Sequence, residues 1–219
     1  MQSDKKSYYK LKFIIIGDAG VGKTNLVHRF VKGEFKSEYH LTLGMDFSSY
    51  NLEIDGKLFT LQLWDTAGSE KFRSIAKGYY INSVCAIVVY DITDEQSFKS
   101  ISNWINDCEN YANKNIIKIL VGNKSDLNDQ RKISQEDGRD MATNNRMLFY
   151  ECSALNGNNV ENIFFDACKI ISKNMDEGKY DTECEDLGLQ RCDVSASTDF
   201  KINKKLSLKP DENKKKKCC

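Results

Sequence analysis

Several things are scarce in this sequence, and each scarcity narrows the function. Net charge is absent: 32 basic and 32 acidic side chains cancel over 219 residues, which gives no footprint for a polyanionic partner such as nucleic acid. No apolar run approaches the ~18–20 residues that span a bilayer, and the short charged start Met1-Gln2-Ser3-Asp4-Lys5-Lys6 does not read as a signal peptide. The 8 cysteines form no C-x-x-C pair and no spaced Cys/His set for zinc. Cys85, Cys108, Cys152 and Cys168 fall in apolar segments, where a reduced thiol behaves as a small hydrophobe in a reducing cytosol. The 2 histidines, His28 and His40, offer no acid–base constellation. The 1 proline, Pro210, lies far from the periodic part of the chain.

What is present alternates. Leu11 to Ile16 is a short apolar run that stops at glycine and reads as a buried strand, followed by a helix from Thr24 to Val31. Met45 to Ile54 and Lys57 to Leu63 alternate in polarity around Asp55-Gly56, a two-residue hairpin turn. Val84 to Tyr90 and Ile116 to Val121 are strands of the type buried on both faces. Between them Phe98, Ile101, Trp104, Ile105, Cys108 and Ala112 mark one helical face, with Thr93-Asp94-Glu95-Gln96 similar to a capping box at its start. Ser134 to Asn145 is a helix, Leu148 to Cys152 a sixth strand, and Val160 to Ile171 a final amphipathic helix. The expected fold is a three-layer α/β domain: a six-stranded, mostly parallel sheet with one antiparallel hairpin strand and helices on both faces. Residues 1–8 form an N-terminal extension, 9–174 the domain, and 175–219 a flexible polar tail.

The loops at the carboxyl ends of such strands hold the ligand, and the motifs fall there. Gly17-Asp18-Ala19-Gly20-Val21-Gly22-Lys23-Thr24 fits G-x-x-x-x-G-K-[ST] between a strand and a helix. Glycines let backbone N–H groups converge on phosphate oxygens, and the helix N-terminus adds its dipole. Lys23 is expected to reach the outer phosphates and Thr24 to ligate Mg²⁺. The motif leaves the base open, since ATP and GTP proteins share it. Asn123-Lys124-Ser125-Asp126 selects guanine: a carboxylate at Asp126 accepts from N1–H and the exocyclic amine, a donor pair adenine lacks. Lys124 lies along the base, Asn123 ties this loop to the phosphate loop, and Ser153-Ala154-Leu155 offers a backbone N–H to the guanine O6. Trp64-Asp65-Thr66-Ala67-Gly68 ends the hairpin, with Asp65 expected to hold Mg²⁺ through water and the Gly68 N–H to touch a third phosphate. Thr42, in the Glu34–Leu43 loop, offers the metal a second hydroxyl, and Phe35 is placed to pack on the base, with anchoring of its loop on the core as the competing reading. The nucleotide set is Ala19, Gly20, Val21, Gly22, Lys23, Thr24, Asn25, Phe35, Tyr39, Thr42, Gly68, Asn123, Lys124, Asp126, Ser153, Ala154 and Leu155, with Thr24, Thr42 and Asp65 at the metal.

Over residues 9–174 the chain resembles a small GTPase of the Ras superfamily, Rab family. The resemblance is carried by GDAGVGKT, by TLGMDF (Thr42 to Phe47), by WDTAGSEKFR (Trp64 to Arg73), by NKSD and CSAL, and by the pair Tyr79-Tyr80. It implies a membrane-traffic switch using GTP/GDP and Mg²⁺, loaded by an exchange factor, turned off by an activating protein, and read by effectors in its GTP form. It also implies a monomer, a prenyl-chain-shielding chaperone, and residence in the cytosol and on the cytosolic face of endomembranes. Phe47, Trp64 and Tyr79 match the family's effector-facing aromatic triad, with simple core packing as the competing reading. Cys218-Cys219, beside Lys214 to Lys217, is similar to the double-cysteine terminus that carries two geranylgeranyl groups. Two lipid chains anchor stably where one is marginal, and lysines add attraction to an anionic leaflet.

The chain departs from the family at three places. Ser69 stands where glutamine orients the attacking water, so the catalytic set of Lys23, Thr42, Gly68 and Ser69 is expected to hydrolyse GTP slowly unaided. Ala19 puts a β-carbon near the γ-phosphate. Tyr79-Tyr80-Ile81-Asn82-Ser83 replaces the usual Tyr-Tyr-Arg-Gly. The competing functions are a GTP-held scaffold that recruits effectors without hydrolysis, and a P-loop kinase or ATPase, which Asp126 and the absence of a lid domain disfavour.

Overall fold

Period-two burial organises the central strand. In β1 (Ser7–Ile16), Phe13 and Ile15 enter one apolar cluster while Ile14 and Ile16 enter another on the opposite face of the sheet. The strand is therefore buried on both sides, as its unbroken apolar run requires. The computed structural model describes residues 7–37, 42, 44–68, 78–180, 188–193 and 201–206. After β1 come α1 (Lys23–Lys32), β2 (Met45–Ile54), β3 (Lys57–Thr66), β4 (Cys85–Asp91), α2 (Glu95–Lys99), α3 (Ile101–Tyr111) and β5 (Ile117–Asn123). A 3-10 helix (Ser125–Gln130), α4 (Gln135–Asn144), β6 (Leu148–Glu151), α5 (Val160–Asp176), β7 (Leu189–Asp193) and β8 (Lys204–Leu206) complete the chain.

The strand order is β6-β5-β4-β1-β3-β2-β8, with β7 paired to β1. β1 is parallel to β3 and β4, β4 to β5, and β5 to β6, while β2 and β3 form the antiparallel hairpin. Asp55 and Gly56 at its turn both have positive φ, 47° and 83°, the conformation that a two-residue turn matched to strand twist demands. One face of the sheet packs on α1 and α5, where Phe30 stacks on Phe164 with ring centroids 4.0 Å apart. The other packs on α2, α3 and α4 through Tyr90, Trp104 and Ile105. Cys85, Cys108, Cys152 and Cys168 are buried free thiols, and burial pushes the Cys108 thiol up to about 12. No helix of the described residues is long and apolar enough to cross a membrane.

Three expectations need correction. The sheet has eight strands among the described residues, not six, because residues 189–193 and 204–206 of the polar tail pair with it. Strands of five and three residues carry too little periodicity to be seen in sequence; tertiary pairing makes them. Ser7 and Tyr8 likewise belong to β1, paired with Asp193 and Cys192, and not to an extension. The helix read through Phe98 and Ala112 is two helices, broken at Ser100. Its start is an Asp94 N-cap accepting from the Gln96 N–H at 2.9 Å, while the Thr93 amide and hydroxyl both donate to Asp91. A reciprocal capping box does occur, at Ser134 and Asp137 before α4.

The aromatic stack under α1 and α5 gives a stability expectation. Phe164→Ala removes a fully buried ring and should cost about 3–5 kcal/mol, read as a lower urea midpoint at unchanged slope.

Candidate functional site

The phosphate-type loop is built by close packing between elements distant in sequence. Gly22, at φ 95°, precedes α1, and a β-carbon there would lie 2.5 Å from Asn123 Nδ2. Only glycine allows Asn123 to approach, and that approach matters: its Nδ2 donates to Val21 O at 2.8 Å. Its Oδ1 in turn accepts from the Ala154 N–H at 3.2 Å. One buried carboxamide therefore joins the first loop, the β5 end and the β6 end. Gly68 closes the other side, since a β-carbon on it would sit 2.4 Å from Ala19 N.

Lys23 is buried, with Nζ 2.8 Å from both Gly17 O and Asp18 O. Burial pushes its ammonium down to about 8, against the opposing pull of the Asp65 and Asp18 carboxylates. Asp65 is the reverse case: burial pushes its carboxyl up to about 6, opposed by the Thr24 hydrogen bond and the Lys23 charge. Thr24 Oγ1 donates to Asp65 Oδ2 at 2.5 Å and lies 3.0 Å from Thr42 Oγ1. Asp65 Oδ1 is buried with no hydrogen-bond partner among the described residues. A buried orphan carboxylate oxygen is costly unless something cationic meets it. Two hydroxyls and that oxygen are the hard donors a Mg²⁺ shell takes, and a phosphate beside Lys23 would restore the charge balance that burial disturbs. The residues present fit both groups.

At the base end, Lys124 has the left-handed φ of 66° and its Nζ lies 2.6 Å from Asp91. Asp126 is exposed, and its Oδ1 accepts from the Ser153 hydroxyl. Leu155 is 49% and Phe35 37% exposed, so both remain available to an incoming ring. Ala19, Gly20 and Thr24 are exposed at the mouth of the loop, with Asn25 half-buried. Tyr39, Ser69, Lys71 to Arg73, Lys214 to Lys217, Cys218 and Cys219 lie outside the described residues. Phe47, Trp64 and Tyr79 form a continuous row, Trp64 lying 5.9 Å from Phe47 and 6.0 Å from Tyr79 between ring centroids. Lys12 Nζ covers the Trp64 ring at 4.4 Å. Phe47 is 47% exposed, whereas Trp64 and Tyr79 pack half-buried against the second apolar cluster.

These loops converge at the carboxyl ends of β1, β3, β5 and β6, and the motifs that fill them have known counterparts. The Ras family profile matches residues 12–173. The chain is 39% identical to "Ras-related protein Rab-4B" of Rattus norvegicus over 187 residues, 85% of this chain and 88% of that protein. It is 43% identical to "Ras-related protein Rab-4" of Dictyostelium discoideum over 185 residues, 84% and 89% of the two chains. To "Ras-related protein Rab-8A" of Rattus norvegicus it is 44% identical over 173 residues, 78% and 84%. The chain belongs to the Ras superfamily, as a Rab GTPase. It is accordingly a GTP hydrolase that binds GTP/GDP with Mg²⁺. Rab GTPases act in vesicular traffic at endomembranes through exchange factors, activating proteins and effectors.

Three residues of this Rab's site went unread in the sequence. Asp91, at the end of β4, holds Lys124; its position at a strand's carboxyl end was the available signal. Trp104 Nε1 donates to Asp18 Oδ1 at 2.8 Å, tying the phosphate-type loop to α3. Arg29 bridges α1 to the β6 loop, with Nε donating to Ala154 O at 2.8 Å, Nη2 to Leu155 O, and Nη1 to Gly33 O at 2.6 Å. No local pattern marks either of the last two, because each acts across more than 80 residues of chain.

Arg29→Ala removes the charged donors that hold the Ala154 and Leu155 carbonyls. GDP release should accelerate about tenfold or more, the scale of one charge-assisted hydrogen bond. Stopped-flow release of a fluorescent GDP analogue measures it.

Proposed function

We propose that this Rab is a membrane-anchored GTP/GDP switch whose unaided hydrolysis is slow. The observation that carries the switch is the meeting of Thr24, Thr42 and Asp65. Thr42 belongs to a loop far from Asp65 in sequence, so a shared metal and γ-phosphate would order both segments and hydrolysis would release them. In this reading Thr24, Thr42 and Asp65 serve the metal, Lys23 and the Gly68 N–H the outer phosphate, and Asp126 the guanine edge. Asn123 and Lys124 shape the base pocket, and Ser153, Ala154 and Leu155 close it. Bound Mg²⁺ would supply charge neutralisation at the phosphates, while the chain's own groups orient and desolvate them.

The timer is weak because of Ser69. Glutamine in that place spans from the backbone to a water and the γ-phosphate together; serine is shorter by two heavy atoms and lacks the amide. Positioning supplies much of phosphoryl-transfer catalysis, so losing it favours a long-lived GTP state. Phe47, Trp64 and Tyr79 are the surface that effectors read in that state. Geranylgeranyl chains on Cys218 and Cys219, with Lys214 to Lys217 against an anionic leaflet, hold the protein on the cytosolic face of its membrane. A chaperone shields those chains in transit. The same Ser69 supports a second reading, a GTP-held scaffold that recruits effectors and is turned off only by removal or exchange.

Single-turnover cleavage of bound GTP decides the timer. Ser69→Gln should hydrolyse at least about tenfold faster than the natural chain, a change of ~1.4 kcal/mol in barrier; equal rates would sink the role given to Ser69. Adding a family activating protein separates the readings, since turnover restored in trans supports a switch and none supports the scaffold. Intact-mass spectrometry of the natural protein should find two prenyl additions at Cys218 and Cys219, and an unmodified pair of thiols would overturn the anchor.

A further inference from the structure

The two tail strands sit at the same end of the sheet. β7 pairs antiparallel with Ser7 to Leu11, the half of β1 remote from the phosphate-type loop. β4 joins β1 only from Phe13 onward, so β7 fills an edge that would otherwise be open. β8 pairs with Leu52, Glu53 and Ile54, the last residues of β2 before the Asp55-Gly56 turn. It runs parallel to β2 and therefore away from the nucleotide loops. The Asp55 N–H donates to Leu206 O at 3.2 Å where the described chain leaves the sheet.

The two attachments differ in kind. β7 is set in the core: Leu189 is 1% exposed within the main apolar cluster, and Lys12 N–H donates to Gly188 O at 3.0 Å. Gly188 has φ +70°, and a β-carbon on it would lie 2.2 Å from Asn82 O, so the chain enters β7 through a point only glycine fits. β8 buries no residue fully. Leu206 packs only half-buried against the main cluster, and a reciprocal clamp adds to it, with Asn203 N–H donating to Asn51 O at 2.8 Å and Asn51 N–H to Asn203 Oδ1 at 2.9 Å. Ion pairs Lys205–Glu53 at 2.9 Å and Lys204–Glu161 at 3.4 Å flank it. Exposed ion pairs and hydrogen bonds compete with water and salt. Core burial does not.

We propose that β7 and β8 are two attachment points of the tail, the first fixed and the second a reversible latch, that make the lipid-bearing end of the chain leave from the pole opposite the nucleotide loops. The orienting half of this rests on the reading of Cys218 and Cys219 as lipid sites; the attachments themselves do not. Closed, the chain from Leu206 to Cys218 reaches at most about 40 Å; open, from Asp193, it reaches about 85 Å. The aromatic row begins at Phe47, near the other end of β2 from Ile54. A closed latch holds the hairpin pole toward the bilayer and the aromatic row toward the cytosol. An open one lengthens the tether and frees the domain to roll.

Hydrogen exchange on the full, unlipidated chain tests the latch. Asn203→Pro removes both halves of the Asn51 clamp and should speed exchange at the Asn51 and Asp55 amides about tenfold or more. The β7-paired amides and the melting temperature should stay as in the natural chain. Unchanged exchange at Asn51 and Asp55 overturns the latch. A chain ending at Asp193 should melt with the full chain, whereas one ending at Tyr180 should melt several degrees lower; equal melting of all three overturns the fixed point. Orientation is read on neutral vesicles carrying the geranylgeranylated protein with a dye at position 179, beyond the C-terminal end of α5. Energy transfer to a bilayer acceptor should fall in the Asn203→Pro protein, and equal transfer overturns the orienting role. Absence of lipid on the natural chain would remove the orienting role alone and leave the exchange result standing.

Discussion

The nucleotide end of this protein depends on the carboxamide of Asn123. It is 1% exposed, donates to Val21 O and accepts from the Ala154 amide, so three loops from three different strands share one rigid joint. A buried amide must satisfy both its donor and its acceptor side, and here the two sides face opposite loops. Gly22 exists to let it in. Arg29 repeats the theme from α1, holding the Ala154 and Leu155 carbonyls of the β6 loop whose Ala154 N–H donates to Asn123.

Around that joint, burial sets the electrostatics. Lys23 and Asp65 are both withdrawn from water, and each is pushed toward its neutral form. Such a pair is poised to accept charge from outside: an anion beside the lysine, a cation beside the orphan carboxylate oxygen. The loops that carry Thr24 and Thr42 already meet there, their hydroxyls 3.0 Å apart. A change in that contact is what a switch needs. The aromatic row of Phe47, Trp64 and Tyr79 starts on the same hairpin that delivers Asp65, which gives the nucleotide state a short physical route to the surface.

Much of the core domain was legible because its signals are local. The apolar runs of β1, β4 and β5 and the Asp55-Gly56 turn each report backbone preference within a few residues. The glycine-rich loop and N-K-S-D were legible for a related reason: binding a phosphate or a base edge requires fixed spacing within one loop. The break at Ser100 was not, since Ile101 and Trp104 keep the helical phase across it and Ser100 itself keeps right-handed helical angles, φ −68° and ψ −16°. Tail strands escaped notice because Leu189 is one apolar residue among polar ones, and its burial is decided by an open stretch of β1 far away in the chain.

By itself the sequence determined the ligand class and the layer order of the core, because these rest on residue types at short spacing, such as Lys23 and Thr24 in one loop. Tertiary structure alone decided which residues hold those groups in place and where the tail strands pair. Asp91, Arg29 and Trp104 reach their partners only when strands and helices have packed, and β7 and β8 have no existence apart from the edges of β1 and β2. Spacing along the chain encodes chemistry within a loop. Contacts between loops are encoded by the fold.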